Sequence, residues 1–277
     1  MKRAGVMGWP VEHSRSPVLH GFWLKQYNID GEYVLLPVRP EELATALRGL
    51  AARGFAGCNL TIPHKEAALA IVDRVDATAR RIGAVNTVIV RSEGSLEGRN
   101  TDAFGFYSNL KTALPNWCAD AGPAVVLGAG GGGRAVVAAL LDNGAPEVRL
   151  VNRHRDRAAA LAAALGGRIE VVDWARREDA LAGAALLVNT TSLGMAGQPP
   201  LDLALDALPA HAAVNDIVYV PMETPLLAAA RKRGNPVVDG LGMLLHQARP
   251  GFAAWFGVMP EVTPALRQAV MAGLAKR

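Results

Sequence analysis

The chain has 277 residues, 51% hydrophobic and 19% charged, with a formal net charge of +4 and a pI near 9.3. That is enough apolar material for a sizeable core in one or two domains, and it excludes a disordered or fibrous chain. The positive balance is mild and scattered; it suits small anions, but without a dense basic block or interleaved aromatics no nucleic-acid partner is expected.

The opening "MKRAGVMGWP" has no long apolar core and is broken by Gly8 and Pro10, so no signal peptide is expected. No apolar run approaches the ~18 residues of a membrane span. Cys58 and Cys118 form no CxxC, which reads as two reduced thiols in a cytoplasmic protein. The six histidines lack metal-ligand spacing, so no metal is expected.

In chain order, strands are expected at 4–7, 33–37, 57–60, 87–91, 124–127, 147–151, 186–189, 213–216 and 236–238. Helices are expected at 17–27, 40–53, 63–72, 103–114, 132–143, 155–165 and 225–233. A long one follows from 241 to 256 with a break near Pro250, and a last one runs from 264 to the end. This alternation predicts an α/β protein with parallel sheets. The turn-rich stretch "PNWCADAGP" at 115–123 precedes a fresh apolar strand and marks a second α/β unit.

The segment "NLTIPHKEAA" at 59–68 holds an anomaly. Pro63 suits the first position of a helix, and the residues after Lys65 are helix formers. Lys65 would then sit in the first turn, where the helix dipole disfavours a cation by a few tenths to ~1 kcal/mol. The expectation is that the chemistry requires an ammonium there. A surface lysine with its head in water is the alternative.

"AVVLGAGGGGRAVVAALLDNGA" reads as strand, glycine turn and helix, with Gly128, Gly130 and Gly133 as GxGxxG. A pyrophosphate would sit on the helix N-terminus. The next strand, "VRLVNR", lacks the terminal Asp or Glu that holds the ribose 2′-OH of NAD. Asn152 and Arg153 stand there instead, followed by Arg155 and Arg157, which predicts a 2′-phosphate and so NADP.

In "EHSRSPVLH", Pro17 marks a helix start, Ser16 is a natural N-cap, and Ser14 with Ser16 could hold a carboxylate. Asn59, Thr61 and Lys65 lie between a strand end and a helix start, and Asn86 heads the strand of "GAVNTVIV". Asp102 precedes a helix, as a plain cap or as a functional acid. Met243 and Gln247 share one helix face at i, i+4. Ligands of open α/β sheets bind at such strand ends.

The segments "HSRSP", "NLTIPHK", "GAVNT", "NTDAFGF", "GAGGGGRA", "NRHRDRA", "NTTSLGM", "DIVY" and "DGLGMLLHQA" resemble, in order and over nearly the whole chain, those of the shikimate dehydrogenase family. The resemblance implies NADPH-dependent, reversible reduction of 3-dehydroshikimate to shikimate, in the pathway to chorismate and the aromatic amino acids. It implies a catalytic pair, Lys65 and Asp102. Ser14, Ser16, Asn59, Thr61, Asn86, Tyr219 and Gln247 would hold substrate, with Tyr219 near its carboxylate. Gly128, Ala129, Gly130, Gly131 and Gly132 would form the phosphate turn. Asn152, Arg153 and Arg157 would meet the adenosine phosphate, while Ile217 and Gly240 line the nicotinamide.

By the same likeness, residues 1–103 and 241–277 form a discontinuous substrate domain and 104–240 an NADP-binding Rossmann domain, with both ligands in the cleft between them. Partners would be small molecules only, the protein being a monomer or homodimer. One departure is "GAGGGG", where the family usually has Ala or Ser for one or both of the last glycines. Two alternatives stand beside this reading. A quinate/shikimate dehydrogenase using NAD is opposed by the missing acid and by serine at both 14 and 16. A catalytically idle NADP-sensing protein would be expected to have lost Lys65 or Asp102. Lys65 would serve as acid/base or as electrostatic anchor.

Overall fold

A computed structural model describes residues 1–272. The chain divides into two compact units, one of residues 1–101 with the chain from 245 on, the other of residues 102–244.

The first unit holds β1 (Lys2–Gly8), α1 (Ser16–Gln26), β2 (Gly31–Pro37), α2 (Leu43–Arg48), β3 (Phe55–Leu60), β4 (Arg74–Val75), α3 (Ala77–Ile82), β5 (Thr87–Val90) and β6 (Leu96–Arg99). Its sheet runs β2-β1-β3-β5-β6-β4. The β2-β1-β3 part is parallel, but β5 is antiparallel to both β3 and β6. The sheet is therefore mixed, where parallel sheets are expected from the alternation. The cause is local: Arg91 N–H donates to Ser95 O at 2.8 Å and Gly94 takes φ +84°, closing a tight hairpin that only antiparallel strands can share. Leu43, Leu47, Leu50, Phe55, Leu60, Val85, Val88 and Leu96 pack in one core.

The second unit holds α4 (Asp102–Ala113), β7 (Ala124–Leu127), α5 (Gly131–Asp142), β8 (Val148–Asn152), α6 (Arg155–Leu165), β9 (Ile169–Asp173), β10 (Leu186–Asn189), β11 (Ala213–Asp216), α7 (Pro225–Lys232) and β12 (Val237–Val238). Its six strands are all parallel, in the order β12-β11-β10-β7-β8-β9. β7, the first in sequence, lies between β8 and β10. This is the doubly wound arrangement, with its switch point between β7 and β10. Val125, Leu127, Val151, Leu187 and Val214 fill the interior.

The helix α8 (Leu241–Phe256) is continuous, so the expected break near Pro250 does not occur. Proline removes one i→i−4 bond, and the burial of Leu245, Ala248, Phe252 and Trp255 on the same helix offsets that loss. α9 (Pro264–Ala272) follows; the remainder of the last expected helix, residues 273–277, lies outside the described residues. Among the described residues no helix is long and apolar enough to cross a membrane.

Candidate active site

Lys65 does not lie in a helix. Ile62–Pro63 is a cis peptide, and the chain continues as turns until a single 3-10 turn at Ala67–Ala70. In a helix the Lys65 carbonyl would accept from Leu69 N–H. Here it accepts from Val85 N–H at 2.7 Å, and Leu69 N–H turns to Glu66 O. The helix-dipole argument for Lys65 therefore fails. Its half-buried side chain is placed by a loop pinned at several points. His64, buried, has Nε2 2.8 Å from Val38 O; burial lowers its pKa, and the Val38 carbonyl opposes that. Thr61 N–H donates to Met7 O at 2.9 Å, and a Cβ at Gly8 would strike the Thr61 methyl.

Ser16 is likewise not an N-cap. It is the first residue of α1, buried, and Arg15 holds the cap position with no side-chain bond. Ser14 Oγ accepts from Ser16 N–H at 3.3 Å, so the two serines are locked together at the helix start.

Asn59 and Thr87 are register partners across the β3–β5 pair. Asn59 Nδ2 donates to Asn86 O at 3.1 Å and to Thr87 Oγ1 at 3.2 Å. Asn86 Oδ1 accepts from Thr101 N–H at 2.9 Å and Thr87 Oγ1 at 2.9 Å. Its Nδ2 donates to Thr101 Oγ1 at 2.9 Å and to Gln247 Oε1 at 3.3 Å. All five side chains are at least 90% buried. Asn59, Asn86 and Gln247 are thus brought together within the first unit, with Thr87 and Thr101 as members the sequence reading did not single out. Both threonines stand in segments already quoted, "GAVNT" and "NTDAFGF", and adjacency to an amide was the only signal.

In the second unit Asp102 is buried and begins α4, inside the helix rather than ahead of it as a cap. An acid in a first turn faces the positive end of the dipole.

The glycine turn after β7 has two separate reasons for glycine. Gly128 takes φ +106°, open to few other residues. A Cβ on Gly133 would collide with the Gly128 carbonyl, which allows α5 its close approach. Gly130 caps α5 without a side-chain bond, and a Cβ there would meet nothing within 4 Å. Backbone N–H groups at such an end suit phosphate. Ala129 N–H donates to Asn152 Oδ1 at 3.2 Å, tying the turn to the end of β8. Thr190, after β10, donates through Oγ1 to Leu127 O at 2.7 Å and closes the switch point from its other side.

Beyond Asn152, Arg153 and Arg157 are exposed. Arg155 is engaged elsewhere, 3.4 Å from Asp173 and 3.3 Å from Val171 O on β9. Ile217 bridges two glycines: its Cδ1 would lie 2.9 Å from a Cβ on Gly132, and its carbonyl would collide with one on Gly240. Tyr219 follows two residues on, half-buried. The loop is held by buried Asp216, which accepts from Asn189 Nδ2 at 3.0 Å, Val218 N–H at 3.0 Å and Thr224 Oγ1 at 2.7 Å. Burial raises the Asp216 pKa, and these three bonds oppose the rise. Among the described residues no group of three or more His, Cys, Asp and Glu could hold a metal ion.

A parallel doubly wound sheet with a glycine turn at its switch point defines a dinucleotide-binding unit. Residues 116–195 match the family model described as shikimate / quinate 5-dehydrogenase, and residues 6–88 match that of the shikimate dehydrogenase substrate binding domain. A relative named shikimate dehydrogenase (NADP(+)), from Paramagnetospirillum magneticum, is 64% identical over 97% of each chain. The solved shikimate 5-dehydrogenase of Thermus thermophilus, in complex with NADP(H) and shikimate, is 41% identical with a TM-score of 0.87, covering 98% of this chain and 99% of that one. A quinate dehydrogenase from Corynebacterium glutamicum in complex with NAD is 33% identical with a TM-score of 0.90, covering 98% and 100%. The chain belongs to the shikimate dehydrogenase family.

Proposed function

We propose that the protein is an NADP-dependent shikimate dehydrogenase, reducing 3-dehydroshikimate reversibly to shikimate on the route to chorismate and the aromatic amino acids. The observation that carries this reading is the buried cluster of Asn59, Asn86, Thr87, Thr101 and Gln247. It concentrates amides and hydroxyls at the ends of strands, as recognition of a polyhydroxylated ring requires. Residues 1–103 and 241–277 would serve the substrate and 104–240 the cofactor.

The linked serines Ser14 and Ser16, with Tyr219, take the ring carboxylate. Asn59, Thr61, Asn86 and Gln247 take the hydroxyls. Lys65 and Asp102 serve the reacting oxygen, one group holding the proton and the other the charge. NADPH, when bound, supplies the hydride. The residues of the second unit fit that cofactor: the turn of Gly128, Ala129, Gly130, Gly131 and Gly132 offers backbone N–H groups to a pyrophosphate, and Asn152 is held by Ala129. Arg153 and Arg157, both exposed just past β8, would supply the cations for a 2′-phosphate. Ile217 and Gly240 would flank the nicotinamide.

The quinate dehydrogenase shares the fold, so the choice of NADP rests on the last residue of β8, Asn152, which is not an acid. The two free thiols, Cys58 buried and Cys118 exposed, suit a cytoplasmic enzyme, which we take to be a monomer or homodimer. The test is turnover with shikimate or quinate paired with NADP or NAD, followed by the absorbance of the reduced cofactor. Turnover dominated by shikimate with NADP is expected. Equal rates with NAD or quinate would overturn the specificity, and no turnover at all would overturn the reading.

A further inference from the structure

Asn100 opens the segment "NTDAFGF", between the end of β6 and the start of α4. It is 5% exposed, and its backbone is held on either side. The Asp76 carboxylate caps α3 by accepting from Ala79 N–H at 2.6 Å, and it also accepts from Asn100 N–H. Before Asn100, Arg99 O accepts from Asn86 N–H at 3.0 Å; after it, Thr101 N–H donates to Asn86 Oδ1 at 2.9 Å. The Asn100 side chain is therefore an arm on a fixed base.

The arm reaches a single peptide group. Asn100 Nδ2 donates to Ala84 O at 2.9 Å, and the N–H of that same peptide, on Val85, donates to Lys65 O at 2.7 Å. A carbonyl can only accept, so Nδ2 rather than Oδ1 must face Ala84. Three groups stand in line: the Asn100 amide, the Ala84–Val85 peptide and the Lys65 carbonyl. A hydrogen bond to the oxygen of an amide makes its N–H a stronger donor, so the first bond strengthens the second.

The flanking bonds leave this peptide undetermined. Ala84 N–H donates to Ala79 O at 3.2 Å and Asn86 N–H to Arg99 O, which fixes the peptides before and after. The planar peptide between them can turn over by opposed rotations of ψ at 84 and φ at 85 while both neighbours stay in place. Its direction is set by what meets its two ends, and those are Asn100 Nδ2 and Lys65 O. Ala84 and Val85 are both fully buried, so without Asn100 the Ala84 carbonyl has no water to turn to. Other bonds pin the loop at Thr61, His64 and Ala68; at Lys65 itself it is tied to Val85.

We propose that Asn100 is a positioning residue for Lys65: through the Ala84–Val85 peptide it fixes the backbone from which the ammonium is presented to the reacting oxygen. The proposal rests on the reading of Lys65 as a group that serves that oxygen. Asn100 itself touches neither substrate nor cofactor in this account.

The experiment measures steady-state kinetics of wild type, Asn100→Leu, Lys65→Ala and their double variant, with shikimate and NADP. Wild-type turnover and its loss in Lys65→Ala test the functional reading on their own, and if either fails the proposal falls with it. If both hold, Asn100→Leu, which keeps the volume and removes the donor, is expected to lower kcat at least fivefold with the KM for NADP unchanged. On the Lys65→Ala background the same substitution should lower kcat less than twofold, because no ammonium is left to position. An unfolded fraction would lower kcat by the same factor on both backgrounds, so the comparison separates positioning from structure. Asn100→Ala, smaller and equally without a donor, takes its place if Asn100→Leu does not fold. A fall of less than fivefold on the wild-type background, or of twofold or more on the Lys65→Ala background, would overturn the proposal.

Discussion

The backbone carbonyl of Lys65 is bonded to the amide of Val85, 20 residues away, at 2.7 Å. That bond ties the Lys65 loop to the segment leading into Asn86, so the position of the ammonium and that of the amide are set by one piece of backbone. Replacing the side chain should then remove chemistry and leave the fold intact. Lys65→Ala is expected to lower kcat about 10²–10⁴-fold with little change in melting temperature or in NADP affinity. Turnover within a few-fold of wild type would refute the role given to Lys65.

Cofactor choice should be governed by the end of β8. Asn152→Asp places a carboxylate where NAD enzymes hold the ribose 2′-OH, at the cost of a like charge against any 2′-phosphate. The ratio of kcat/KM for NADP over NAD is expected to fall by at least about tenfold, each tenfold corresponding to about 1.4 kcal/mol. Arg153→Ala with Arg157→Ala should lower the NADP term alone. Measuring all four constants for each variant separates the two effects.

Gly133→Ala would drive a methyl into the Gly128 carbonyl, backbone against backbone, where no side chain can yield. A cost of about 1–3 kcal/mol is expected, seen as a lower melting midpoint together with weaker NADP binding. Gly130→Ala, where a methyl meets nothing within 4 Å, should leave the midpoint nearly unchanged. Calorimetry on the pair would distinguish crowding from a general intolerance of the turn.

Asp216 gives a prediction with a sign. Its pKa is raised by burial, so the folded state binds its proton more tightly than the unfolded state. The stability it contributes is complete below the ordinary carboxylate range and is lost as pH rises through its raised pKa. Asparagine carries no such titration. The stability difference, wild type minus Asp216→Asn, should therefore shrink as pH rises from about 4 to 7. Asp216→Ala strands three donors and should cost about 2–5 kcal/mol at either pH. Denaturant melts at both values check the two statements.

What the sequence disclosed follows the range of the forces involved. The glycine turn, α6 and the four-residue strands β7, β10 and β11 were legible because apolar runs and glycine spacing act locally. The misreading at Pro63 has a non-local cause: helix formers follow Lys65, but Val85 takes the carbonyl that a helix would need. β4 and β6 pair with each other at the sheet's edge, and neither has a strong apolar run of its own. The bond from the Tyr33 hydroxyl to Asn59 Oδ1 was invisible because it depends on two small residues, Ala4 and Gly57, lying in register with Tyr33.

Because the first unit takes in the chain from residue 245 on, its parts are separated in time during synthesis as well as in sequence. Gln247, which accepts from Asn86, is translated 161 residues after it. Trp255, whose indole N–H donates to Val88 O at 3.0 Å, follows Val88 by 167. The second unit, by contrast, is one uninterrupted stretch and can close its sheet as soon as β12 has left the ribosome. The unit that starts first is finished last, so a nascent chain stalled before α8 would carry a folded nucleotide-binding half beside a substrate half still lacking Gln247.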